Sequence, residues 1–143
     1  MPAPPPADAE LRLTNDLDAM APLPDWVERF AADRRLPPDV IHDLHVVLDE
    51  LVNNAISYGY DAGARGEIVV RLRHAPDHLA VEVEDDGRPF DPLQAPPPDL
   101  TSPLAERQVG GLGVHIVKNL MDEVAYARVG GKNVLKLLRN LAR

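Results

Sequence analysis

"LDELVNNAISYGY", residues 48–60, sets Glu50, Asn53 and Asn54 inside an otherwise apolar helical pattern. Asparagine is a poor helix former, and each side-chain amide needs hydrogen-bond partners. At about 100° per residue, Val40, Leu44, Val47, Leu51 and Ala55 form one apolar stripe on this helix. Glu50, Asn54 and Ser57 gather at the edge of that stripe, within about 60° of one another. Glu50 and Asn54 are four residues apart, so their side chains are neighbours. A carboxylate beside an amide oxygen suits a hard cation such as Mg²⁺ or its water shell. A half-buried carboxylate also suits a general base. A solvated helix edge with a local hydrogen bond would show the same spacing. Asn53 points further round toward solvent and receives no role.

The pattern around this helix alternates elements. The helix opens at Pro38 or Asp39, after the break "LPPDV", and stops before Gly59. Upstream, "ELRLT" alternates like a short strand, and "WVERFAADRRL" repeats apolar residues at helical spacing. Downstream, "EIVVRLRH" and "HLAVEVED", joined by "APD", read as an antiparallel hairpin. Leu79, Val81 and Val83 face one way, and Glu82 and Glu84 the other. "VHIVKNLMDEV" resumes a helix. "VAYARV", "GGKN" and "VLKLLRNL" form a second hairpin around a glycine turn. Helices alternating with strand pairs predict a two-layer α/β sandwich, with a mixed, mostly antiparallel sheet covered by helices on one face. Residues 1–9, Pro and Ala with one Asp, are expected to be a disordered or extended tail. A single domain then covers 10–143.

Composition narrows the function classes. Apolar residues make up 45% of 143, enough for a core, and with 4% aromatics that core is mostly aliphatic. A net charge of -8 argues against a general binder of nucleic acid or acidic membrane. No cysteine is present, which removes disulfides, thiolate metal sites and cysteine nucleophiles. No apolar run reaches a membrane span, and "MPAPPPADAE" lacks the basic start and apolar core of a secretory signal, so a cytoplasmic location is expected.

Two more stretches carry chemistry. "VEVEDDGRPFDP" ends a strand in acids followed by Gly87. Asp85 there can accept a hydrogen bond from a ligand amine, and Gly87 lets the backbone come close. An ordinary Asp-Gly turn has the same letters. "GGLGVHIVKNL" runs glycines into a helix, whose first N–H groups can cradle phosphate. It is neither a P-loop nor a dinucleotide fingerprint. Between the two lies a proline-rich stretch of little periodicity, the usual form of a functional loop or lid. His42 and His45 share a face of the long helix and could bind a metal, but surface positions explain them equally simply. His115 lies near the start of the glycine-led helix.

Taken in order, these features resemble the Bergerat (GHKL) ATP-binding fold. Within it the chain is most similar to the small anti-sigma factor serine kinases of the RsbW and SpoIIAB type. "DELVNNAISYGY" is similar to their N-box, "DDGRPFDP" to their first glycine box and "GGLGVHIVKNLMDEVAY" to their second. The resemblance spans about residues 10–140. It implies ATP and Mg²⁺ as cofactors, Glu50 as the general base toward a partner's serine, and Asn54 as the Mg²⁺ ligand. It implies that Asp85 binds the adenine amino group with Gly87 shaping the wall, and that Gly111 and Gly113 cradle phosphates. Residues 92–109 would be the ATP lid, with Arg107 a candidate phosphate contact. The implied function is an anti-sigma factor and serine protein kinase of a partner-switching system. It would sequester a sigma factor and phosphorylate a STAS-type anti-anti-sigma antagonist. A homodimer through residues 10–30 is implied as well. Two alternatives remain: a partner-binding module that holds ATP with little kinase activity, and a switch kinase acting on a scaffold protein.

Overall fold

The computed structural model describes residues 7–94 and 111–142. Among the described residues, five strands form one sheet in the order β1-β2-β3-β5-β4: β1 (Ala9–Thr14), β2 (Glu67–His74), β3 (His78–Asp85), β4 (Glu123–Val129) and β5 (Lys132–Asn140). Three α-helices accompany them there: α1 (Leu23–Arg34), α2 (Pro38–Tyr58) and α3 (Gly111–Leu120). All four strand pairings are antiparallel, so among the described residues the expected mixed sheet is antiparallel throughout. The reason lies in the crossover. The chain leaves β3, passes through α3, and lays β4 at the sheet edge, and β5 then turns back between β3 and β4. Gly130 and Gly131 supply the positive φ angles, 58° and 77°, that this tight turn needs.

The helices start and stop where proline and glycine place them. Pro38 occupies the first turn of α2, where its missing N–H costs nothing. Gly59 closes that helix, its N–H donating to the Ala55 carbonyl at 3.0 Å. Arg35 ends α1 in the left-handed region, φ 52°, and its N–H reaches back to the last turn. The α3 helix is shorter than the apolar pattern through Val124 suggests. The Asp122 N–H donates to the Leu138 carbonyl at 2.8 Å, which draws the chain into β4. Val124 packs against the core from a strand instead of a helix, and the apolar spacing satisfies both.

The core lies between one sheet face and the helices. Leu13, Ile68, Val70, Leu72, Leu79, Val81, Val83, Leu135 and Leu137 meet Val27, Phe30, Leu44, Leu48, Leu51, Val52 and Val117 there. The stripe Val40, Leu44, Val47, Leu51 and Ala55 is buried as expected. Charged groups enter this layer too: Arg139, 4% exposed, donates to Asp43 at 3.0 Å and to Asp39 at 3.1 Å, which ties β5 to the start of α2. The opposite sheet face carries charges, including Arg71 between Glu10 (2.8 Å) and Glu82 (3.3 Å). At the N-terminus, the Asp8 N–H donates to the Leu72 carbonyl and β1 begins at Ala9. Residues 1–6 of the expected tail lie outside the described residues. Among the described residues no helix is long and apolar enough to cross a membrane.

Candidate functional site

The α2 helix presents the site along its edge. Glu50 is half-buried and Asn54 is buried, one turn further on. Burial pushes the Glu50 carboxyl above its ordinary value, and the negative charge of Asp49 adds to this. The carboxylate lies against the first turn of α3: a Cβ on Gly113 would overlap Glu50 Oε2 and Cδ. A side chain at 113 would therefore displace the Glu50 carboxylate, and the two residues singled out from separate motifs meet in space. Ser57 does not join them. It is exposed and donates its hydroxyl to Asn53 Oδ1 at 3.1 Å, so the expected cluster contains Glu50 and Asn54 only.

At the other end of α2 stands the turn after β3. Asp85 keeps the phase of Leu79, Val81 and Val83 and so points to the core side, where it is buried. Its Oδ1 accepts the Gly87 N–H at 2.9 Å and the Asn133 amide N–H at 2.9 Å. Burial raises its pKa, and those two hydrogen bonds oppose the rise. Gly87 is required by contact, because a Cβ there would overlap the Gly59 carbonyl. The Arg88 N–H donates to that carbonyl at 2.8 Å, which docks the turn on the end of α2. On its far side Asp86 accepts from the Tyr60 hydroxyl (2.7 Å) and the Glu67 N–H (3.0 Å). That contact and burial push the Tyr60 hydroxyl well above its usual pKa.

Three participants were not foreseen from sequence. Asn133 and Tyr126 bond each other behind Asp85, and Arg128 Nη1 donates to the Gly87 carbonyl at 2.8 Å. The alternation of β5 held a signal for one of them, since Asn133 is in phase with the buried Leu135 and Leu137.

Gly111 and Gly113 open α3, whose first N–H groups have no partner within the helix. Arg107 and residues 95–109 of the proposed lid lie outside the described residues. Residues 92–94 form a short 3₁₀ turn, tied to α3 by the Lys118 ammonium donating to the Leu93 carbonyl at 2.8 Å. His115 is exposed, His42 is mostly exposed, and His45 contacts Glu28 at 2.8 Å. Among the described residues no group of three or more His, Asp or Glu side chains could hold a metal.

The site runs along one edge of α2 and has two ends. From Glu50 to Gly59, nine residues of helix rise roughly 13 Å, the scale of an extended nucleoside triphosphate. One end has a buried acceptor for a ligand amine. The other has a carboxylate, an amide and a helix N-terminus, donors suited to phosphates and a hard cation.

The family described as Histidine kinase-like ATPase domain matches residues 13–139, and the chain belongs to it. Its relatives include the serine/threonine-protein kinase BtrW of Bordetella bronchiseptica, 30% identical over 117 residues, 82% of each chain. They also include the serine-protein kinase RsbW of Bacillus subtilis, 33% identical over 103 residues, which are 67% of this chain and 62% of that one. The chain thus spans less than two thirds of the RsbW kinase's length. Among solved structures, the RsbU and RsbW domains of a Mycobacterium tuberculosis protein share the fold. Their TM-score is 0.68 at 20% identity, over 97% of this chain and 33% of that one.

Proposed function

We propose that the chain is a serine protein kinase and anti-sigma factor of a partner-switching system, using ATP and Mg²⁺. The observation that carries this is the Glu50 carboxylate seated on Gly113, which puts an acid with a raised pKa at the first turn of α3. A binding module has no need of a base there. The kinase relatives support the same reading.

ATP would supply the phosphoryl group, and Mg²⁺ would neutralise charge on its phosphates. Phosphoryl transfer asks the protein chiefly for positioning and electrostatics. Asn54, whose side chain makes no hydrogen bond among the described residues, would hold the metal. A site of few protein ligands fits Mg²⁺, which is commonly held by one or two protein groups together with phosphates. Asp85 would accept the adenine amino group, Gly87 would form the wall beside it, and the N–H groups at Gly111 and Gly113 would meet phosphate. Residues 92–109 would close over the nucleotide, with Arg107 as a phosphate contact. Glu50 would take the proton from a partner's serine hydroxyl, for which its raised pKa makes it a stronger base.

The partners would be a sigma factor, held and inhibited, and a STAS-type antagonist phosphorylated on serine. The added phosphate would release the antagonist by charge at the contact surface. We place the protein in the cytoplasm as a homodimer meeting through residues 10–30. The test mixes it with ATP, Mg²⁺, a STAS-type antagonist and candidate sigma factors. Serine phosphate on the antagonist and capture of a sigma factor are expected. Tight partner binding without serine phosphate would favour a module that holds ATP without catalysis. Phosphorylation without sigma capture would favour a switch kinase acting on a scaffold.

A further inference from the structure

Behind Asp85 sits a buried amide that no step above uses. Asn133 is 3% exposed and makes four hydrogen bonds. Its Nδ2 donates to Asp85 Oδ1 at 2.9 Å and to the Arg88 carbonyl at 2.7 Å. Its Oδ1 accepts the Phe90 N–H at 3.2 Å and the Tyr126 hydroxyl at 2.5 Å. A backbone N–H can only donate and a carbonyl can only accept, so Phe90 and Arg88 settle which way the amide points. The donor side must face Asp85.

We propose that Asn133, held by Tyr126, is a positioning residue that sets which purine the site accepts, favouring a 6-amino over a 6-oxo base. This rests on the reading of Asp85 as the carboxylate that meets the base. The Asn133 and Gly87 N–H groups both end on Asp85 Oδ1, and among the described residues no hydrogen bond falls on Oδ2. The carboxylate is thereby pinned in one rotamer, with Oδ2 turned out as an acceptor. An exocyclic amino group donates to it. A 6-oxo group would set two acceptors face to face, a mismatch that buried sites reject strongly. Asn133 also holds Arg88 and Phe90, so the same amide fixes the turn on which Asp85 is carried.

The experiment titrates the full chain with ATP and with inosine triphosphate, which differs at the base and keeps the sugar and triphosphate. Asn133→Leu removes all four hydrogen bonds at similar volume. ATP affinity is expected to fall at least tenfold while inosine triphosphate affinity stays within about twofold, so selectivity collapses. Tyr126→Phe keeps the ring packing and loses one hydrogen bond. It should weaken ATP about threefold to tenfold, again without moving inosine triphosphate, and it carries the test if Asn133→Leu does not fold. Equal losses for both nucleotides, or unchanged selectivity in a wild-type background that prefers ATP, would overturn the role of Asn133 alone. A wild-type protein that binds the two nucleotides equally would overturn the reading of Asp85 as well.

Discussion

Asp85→Asn separates the chemistry of the proposed base site from its packing. The substitution is isosteric, and the new Oδ1 can still accept the Gly87 and Asn133 N–H groups. Those two bonds change from charge-assisted to neutral, a loss of roughly 1 kcal/mol each. Relief of a buried carboxylate offsets this, so folding stability should move by no more than about 1–2 kcal/mol. Toward ligand the change is a reversal, because an NH₂ donor replaces the Oδ2 acceptor. ATP forfeits a hydrogen bond to a charged group, about 1.5–3 kcal/mol, and meets a donor facing its own donor, about 1–3 kcal/mol more. The sum, on the order of 3 kcal/mol or above, weakens ATP by more than about a hundredfold. Inosine triphosphate, whose 6-oxo group now finds a donor, should bind better than it does to wild type. Calorimetric titration with both nucleotides, beside a urea melt, reads all three quantities. ATP binding within about threefold of wild type in a folded variant would refute the role of Asp85.

Other perturbations follow from the same contacts. Gly113→Ala should keep the fold, since alanine favours a helix by about 1 kcal/mol over glycine and the obstructing group is the mobile end of Glu50. Phosphotransfer should fall at least tenfold in a rate assay while ATP affinity changes little. Arg139→Met leaves Asp43 without its buried guanidinium and should cost about 3–5 kcal/mol by denaturant unfolding, with Arg139→Met/Asp43→Leu recovering much of the loss. Stability should also depend on pH through Glu50 and Asp85. Both bind protons more tightly folded than unfolded. The native state therefore holds more protons just above the ordinary carboxylate range, and the stability these two groups contribute declines as pH rises through their raised values. Urea midpoints measured across that window should lose this slope in Glu50→Gln/Asp85→Asn.

Most of the architecture was legible because it is periodic. The α2 stripe repeats over about four turns, and the β2–β3 alternation puts Asp85 in phase with Leu79, Val81 and Val83, so both the packing face and the acid's direction follow from spacing. What sequence missed depends on contacts between distant segments. Glu50 and Gly113 are 63 positions apart, and only the packing of α2 on α3 shows that one fits because the other has no side chain. Asn133 lay in phase with its leucines, yet its partners Asp85 and Phe90 belong to β3 and the turn after it, which only the sheet order brings beside β5. Ser57 fitted the polar edge by angle, but its hydroxyl found the nearer Asn53 one turn back. The mostly antiparallel sheet was legible from its hairpins, but strand spacing alone does not reveal that β5 inserts between β3 and β4.

One comparison tests the proposed role of Glu50 as the base of a serine kinase. Wild type and Glu50→Ala are each given γ-labelled ATP, Mg²⁺ and the STAS antagonist, with ATP binding measured in parallel. Labelled serine is expected with wild type, and with Glu50→Ala undiminished ATP binding but no transfer. A Glu50→Ala protein that transfers phosphate at the wild-type rate would contradict that role.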